Sequence, residues 1–201
     1  MVLDSLAILQ DLNKPVMLML TERVFLGLLR PLLTEEKQPV MSSASMQLSA
    51  TPPFPWSGKV ADVKKTIFNL TPCENDFEQL FVRFLEDASD IAAFANLGNL
   101  KPNLSIEYLD GDVNLRQYEP DFVARATDGT YWLIETKGRE DADVARKDAR
   151  AHTWCADVSA LTGQAWRYLK VPEKEFKRLK ADNFGELASA IAAGGPMFVM
   201  E

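Results

Sequence analysis

Two strand-like runs flank a Thr127-Asp128-Gly129 turn and leave this chain few folds to adopt: Tyr118-Glu119-Pro120-Asp121-Phe122-Val123, and Tyr131-Trp132-Leu133-Ile134-Glu135-Thr136-Lys137-Gly138. Both are rich in aromatic and β-branched residues and are set apart by turn residues, the pattern of a hairpin. Side chains alternate between the two faces of a strand, so Glu135 and Lys137 share a face and Thr136 takes the other. The loop length decides where Asp121 falls. A two-residue loop at Asp128-Gly129 pairs Asp121 with Thr136 and separates the carboxylates. A three-residue loop pairs Asp121 with Glu135, Val123 with Leu133, Phe122 with Ile134 and Ala124 with Trp132. Three-residue loops end in a left-handed residue, usually glycine, and Gly129 stands there. The turn and the chemistry agree only in the second register.

In that register two carboxylates and an ammonium sit on one patch of rigid sheet. Charges inside apolar strands are costly unless paired or metal-bound. Asp121 lies between Pro120 and Phe122, and Glu135 directly follows Leu133-Ile134. Magnesium suits such donors, because it takes hard oxygen ligands and completes its shell with water and substrate phosphate; Mn2+ is the natural substitute. Lys137 would orient the attacking water or stabilise charge on the phosphate. The bland reading of all three is an exposed strand end, where most acidic and basic residues belong.

The rest of the chain supplies a frame for this hairpin. Residues 1–59 read as an N-terminal appendage, with helix-like apolar segments at Val2–Leu12 and Val16–Leu33 and a Pro/Ser-rich linker from Thr34 to Gly58. The second segment is apolar around much of its circumference and calls for a partner: the folded domain, a second copy or a motor domain. Residues 60–201 form the domain proper. Thr71-Pro72-Cys73-Glu74 has the form of a capping box with proline at the first helical position. Phe77, Leu80, Phe81, Phe84 and Leu85 then recur at helical spacing as one buried stripe, ending near Gly98-Asn99. Ser105–Leu109 is expected as the first strand, followed by the hairpin. A helix from about Asp141 to Ala160 follows, with Val144, Asp148, Ala151, Cys155 and Val158 on its inner face. Ala165–Val171 is the fourth strand, and a last helix opens at Pro172-Glu173 and runs toward Ala192. Helix, three strands, helix, strand predicts an α/β fold with a mixed sheet flanked by helices.

Pro120-Asp121-Phe122 followed by Glu135-Thr136-Lys137-Gly138 resembles the catalytic motif of the PD-(D/E)XK nucleases. The wider pattern is similar to the C-terminal endonuclease domain of type III restriction enzyme Res subunits and related helicase-linked nucleases. It adds Asn75-Asp76-Phe77-Glu78 opening a helix, Tyr118 before the Pro-Asp, and Trp154 on the helix after the triplet, and it spans roughly residues 64 to 172. The resemblance implies a restriction-endonuclease-like core and a Mg2+-dependent DNA endonuclease in which Asp121 and Glu135 bind the ion and Lys137 assists hydrolysis. It also implies that Glu78 supports the metal site from its helix. Lys147 and Trp154, seven apart, share one side of their helix; Lys147 would approach the scissile phosphate or solvate the helix, and Trp154 reads as core.

Charge bears on the partners. A net charge of −7 opposes a polyanion, whose binding draws on Lys and Arg neutralising phosphates. DNA is therefore expected to bind weakly to this chain by itself, with a helicase/ATPase or methyltransferase module or subunit delivering it, as the resemblance also implies. No Gly-x-x-x-x-Gly-Lys-Ser/Thr loop occurs, so the chain is not that motor. The only histidine, His152, excludes a multi-histidine metal centre. Cys73 and Cys155 read as reduced thiols of a cytoplasmic protein, no secretory signal is evident, and Glu22, Arg23 and Arg30 argue against a membrane span at Val16–Leu33. The competing reading is a non-catalytic interaction module that keeps the nuclease fold for docking.

Overall fold

The computed structural model describes residues 14–33, 39–41, 47–98, 104–112, 114–138 and 144–194. They fall into two units, one drawn from Met1–Pro39 with Leu109–Arg116, the other from Val40–Tyr108 with Gln117–Glu201. The first holds helix α1 (Pro15–Leu33). Its apolar side chains are exposed, Phe25 at 61% and Leu28 at 66%, and no described helix is long and apolar enough to cross a membrane. The helix expected at Val2–Leu12 lies outside the described residues.

The second unit is built on a mixed four-stranded sheet. Its strands are β3 (Ile91–Asn96), β6 (Phe122–Ala126), β7 (Tyr131–Lys137) and β8 (Trp166–Pro172), side by side in that order. β3 and β7 run antiparallel to β6, while β8 runs parallel to β7. A parallel neighbour needs a long crossover, and helix α3 (Val144–Thr162) lies in it. Helix α2 (Asp76–Asp87) precedes the sheet; α4 (Glu173–Leu179) and α5 (Phe184–Gly194) follow it. Two small pairs stand apart, β1 (Lys59–Ala61) with β2 (Thr71–Cys73), and β4 (Ile106–Leu109) with β5 (Leu115–Tyr118).

Strand alternation divides the core into two clusters. Phe122, Ala124, Ile134, Leu169 and Val171 meet Phe77, Phe81, Val82 and Leu85 of α2 and Phe184 and Leu187 of α5. Leu133 and Tyr168 point to the opposite face and meet Ala151 and Cys155 of α3 with Ile106, Tyr108 and Tyr118. Glu135 and Lys137 follow the period of Leu133 and so belong to this second face.

The order helix, three strands, helix, strand stands, but three of its parts differ from expectation. Thr71-Pro72-Cys73 is strand β2, fully buried at Thr71 and Cys73, and not a helix start. The helix begins at Asp76, where extended Asn75 accepts the Glu78 N–H at 2.9 Å, a capping box one step downstream. The first sheet strand is Ile91–Asn96, which reads as helix in sequence because it is alanine-rich; Ser105–Leu109 contributes instead to the β4–β5 ribbon. The last helix is two, interrupted after Leu179 by Lys180 in the left-handed region (φ 47°).

Asp90 ties this C-terminal turn to the sheet. Its carboxylate accepts the N–H groups of Phe184 (2.9 Å) and Gly185 (2.7 Å) at the start of α5, and its carbonyl accepts the Thr127 N–H at 2.9 Å. A carboxylate on a helix N-terminus satisfies orphan donors and complements the dipole. Asp90→Ala is expected to cost about 1–2 kcal/mol in urea unfolding; an unchanged midpoint would count against the tie.

Candidate functional site

The hairpin takes the three-residue register. Phe122 pairs with Ile134, Val123 with Leu133 and Ala124 with Trp132, Ala126 N–H donates to the Thr130 carbonyl at 2.8 Å, and Gly129 has φ +90°. Continuing that register sets Asp121 opposite Glu135. β6 proper starts only at Phe122, because Pro120 has no N–H to offer a ladder and Asp121 sits in a bend. The Asp121 carboxylate takes over where the strands part: Oδ2 accepts the Thr136 N–H (2.7 Å) and the Thr136 hydroxyl (2.6 Å). Thr136, placed by alternation on the face away from Glu135, is thus drawn into the site through Asp121.

This seam gathers negative charge from both faces of the sheet. Burial, with the charge of Glu74 added, raises the Asp121 carboxyl above its ordinary range, against the Thr136 hydrogen bonds and Lys137, which lower it. Glu135, half-buried on β7, is pushed up to about 8 by burial first and then by the charge of Asp121. Tyr118 donates its hydroxyl to Glu135 Oε2 at 3.0 Å, and the charges of Lys137 and Lys147 pull Glu135 back down. Glu78, 6% exposed, is raised mainly by burial, with Asp121 contributing from across the sheet. Its oxygens are engaged in the helix cap, Oε2 by the Glu74 N–H (2.9 Å) and Oε1 by the Asn75 amide (2.6 Å).

Lys137 ends β7 half-buried, opposite Pro172 of β8. Lys147 on α3 lies 5.9 Å from the Tyr108 ring and lines, with Glu135, Lys137 and Lys170, a pocket of about 10 Å³, room for about one water. Trp154 is core, packed edge-on against Trp166 at 5.4 Å, while His152 is exposed with its ring edge on Tyr168. Asp121, Glu135, Lys137 and Lys147 therefore belong to one neighbourhood; Glu78 approaches it from the other face through Asp121. Glu74, Thr136, Tyr168, Asp148 and Lys170 are the residues that sequence reasoning did not place there.

Among the described residues, no three His, Cys, Asp or Glu side chains come together to hold one ion. The donor chemistry is nonetheless that of a hard cation: two half-buried carboxylates whose ionised forms are disfavoured by burial and by each other. No family model matches the chain, and comparisons with curated proteins and with solved structures return no match.

The raised carboxyls set a sign for the pH dependence. A Glu135 near 8 keeps its proton in the folded state at pH values where the unfolded chain, at its ordinary 4.5, has lost it. Folding stability should therefore be greatest below about pH 4.5 in this contribution and fall as pH rises toward 8. Glu135→Gln should flatten that slope in thermal melts. A stability that climbs across the same window in the parent, with no change in Glu135→Gln, would mean the carboxylate is already paired.

Proposed function

We propose that this chain is a Mg2+-dependent phosphodiesterase, a DNA endonuclease of the PD-(D/E)XK type serving a type III-like restriction or helicase–nuclease system. The observation that carries this reading is the hairpin register, which sets Asp121 against Glu135 with Lys137 two residues on, at a seam where the two carboxylates are short of positive charge. The succession of α2, β3, β6, β7, α3 and β8 supports it, since that is the core order of the nuclease fold.

Asp121 and Glu135 would hold the ion, with water and a substrate phosphate oxygen completing its shell. Bound there, Mg2+ would neutralise phosphate charge and lower the pKa of a coordinated water. The protein's own part is orientation. Thr136 fixes the Asp121 carboxylate through Oδ2, and Tyr118 fixes that of Glu135 through Oε2. The Lys137 ammonium, a donor only, would give a hydrogen bond to the attacking water or to a non-bridging phosphate oxygen. Lys147 is placed for a flanking phosphate, and Glu78 acts on Asp121 through its charge.

With a net charge of −7, the substrate is best delivered by a separate motor or methyltransferase module. The test is cleavage of plasmid DNA by the full chain, with that module present where one is found. Cleavage with Mg2+ that stops with EDTA and in Asp121→Asn is expected. A second reading, an interaction module, is favoured by one feature: both carboxylates already accept protein hydrogen bonds. It becomes the better one if Mg2+ neither binds in calorimetry nor supports cleavage.

A further inference from the structure

Lys170 is the parallel-register neighbour of Glu135, one strand away on β8. Cross-strand neighbours share a face, and a lysine there would be the natural counter-ion for a half-buried glutamate. The ammonium of Lys170 instead lies 2.7 Å from Asp148 Oδ2 on α3, both side chains being about a fifth exposed. The other oxygen of Asp148 accepts the Tyr168 hydroxyl at 2.7 Å. Glu135, Asp148 and Lys170 line the same small pocket, so the two carboxylates lie within the compass of one lysine side chain.

We propose that Asp148 is a positioning residue that holds the Lys170 ammonium off Glu135 and so keeps that carboxylate for the ion, an inference that rests on the reading of Glu135 as an ion ligand. The physical reason is that a largely buried charge deprived of its partner is costly and takes the next available one. Without the Asp148 charge that partner is Glu135, and a lysine bound to Glu135 competes with a cation for the same oxygens. Asp148 does not serve as a ligand itself, because both its oxygens are engaged.

Mg2+ binding to the full chain is measured by calorimetry at pH 8 for the parent, Asp148→Asn, Lys170→Met and the double variant. Asparagine keeps an acceptor for Tyr168 and removes only the charge. Asp148→Asn should bind Mg2+ about tenfold more weakly or worse, and Asp148→Asn/Lys170→Met should return to the parent's affinity. A merely structural Asp148 would not be rescued by removing Lys170. Asp148→Asn binding like the parent, or a double variant as weak as Asp148→Asn alone, overturns the proposal. A parent that binds no Mg2+ counts against the phosphodiesterase reading instead. The positional claim is then decided by a thermal-unfolding cycle between Glu135→Gln and Lys170→Met, whose coupling should be larger in the Asp148→Asn background than in the parent. Equal coupling in the two backgrounds overturns it.

Discussion

Lys137→Ala should cleave about a hundred- to a thousandfold more slowly than the parent, the usual loss when one preorganised donor to a developing negative charge is removed. The ammonium is no metal ligand, so Mg2+ should still bind. One complication follows from the site's electrostatics. Lys137 lowers the carboxyls of both Asp121 and Glu135, so without it they hold their protons more tightly and apparent metal affinity drops at neutral pH. The comparison therefore belongs at saturating Mg2+ and at a pH above about 8, where Glu135 is ionised. Under those conditions the rate should remain low while the Mg2+-induced thermal stabilisation recovers. Glu135→Ala should lose both. If Lys137→Ala cuts like the parent there, the catalytic assignment is wrong and the interaction-module reading gains.

The parts legible in sequence were those fixed by local rules. Gly129 at the left-handed position of a three-residue loop sets the register, and the register alone brings Asp121 opposite Glu135. Helix α3 and strand β8 were equally readable, one from its apolar period, the other from a short run of aromatic and aliphatic residues closed by Pro172. Ile91–Asn96 was not, because alanine and asparagine carry little strand preference, and its strand state comes from pairing with β6. The capping box was misplaced for a related reason: Thr71 and Asn75 both satisfy the local pattern, and burial of Thr71-Pro72-Cys73 against the core decides between them.

The site's surroundings were hidden because they depend on distances between elements far apart in the chain. Thr136 enters only because β6 leaves the ladder at Phe122 and the Asp121 side chain reaches across the gap. Asp148 was visible as an inner-face position of its helix, but its pairing with Lys170 joins two elements 22 positions apart, and nothing local signals it. The acids also combine in a way that sequence spacing cannot express. Glu135 acts on Asp121 along one face, whereas Glu74 and Glu78 act from the other.

Phe81→Ala should cost about 3–5 kcal/mol of folding stability in urea unfolding, a large fraction of what a domain of this size possesses. Phe81 is fully buried, with ring centroids 5.5 Å from Phe122, 5.6 Å from Phe176, 6.0 Å from Phe84 and 6.4 Å from Phe77. Removing the ring leaves a cavity walled by four aromatics on three elements, which cannot collapse together. The stripe Phe77, Leu80, Phe81, Phe84 and Leu85 treats these positions alike in sequence, but Leu80 is 43% exposed. Leu80→Ala should accordingly cost less than about 1 kcal/mol. Equal losses at the two positions would mean that α2 presents a different face to the sheet. The consequence reaches the site, because Phe122 follows Asp121 directly and closes the Phe81 cluster from the sheet side. Phe81→Leu, which restores most of the volume, should recover stability and Mg2+ binding together. Recovery of stability without Mg2+ binding would separate the seat of Asp121 from the packing of the core beneath it.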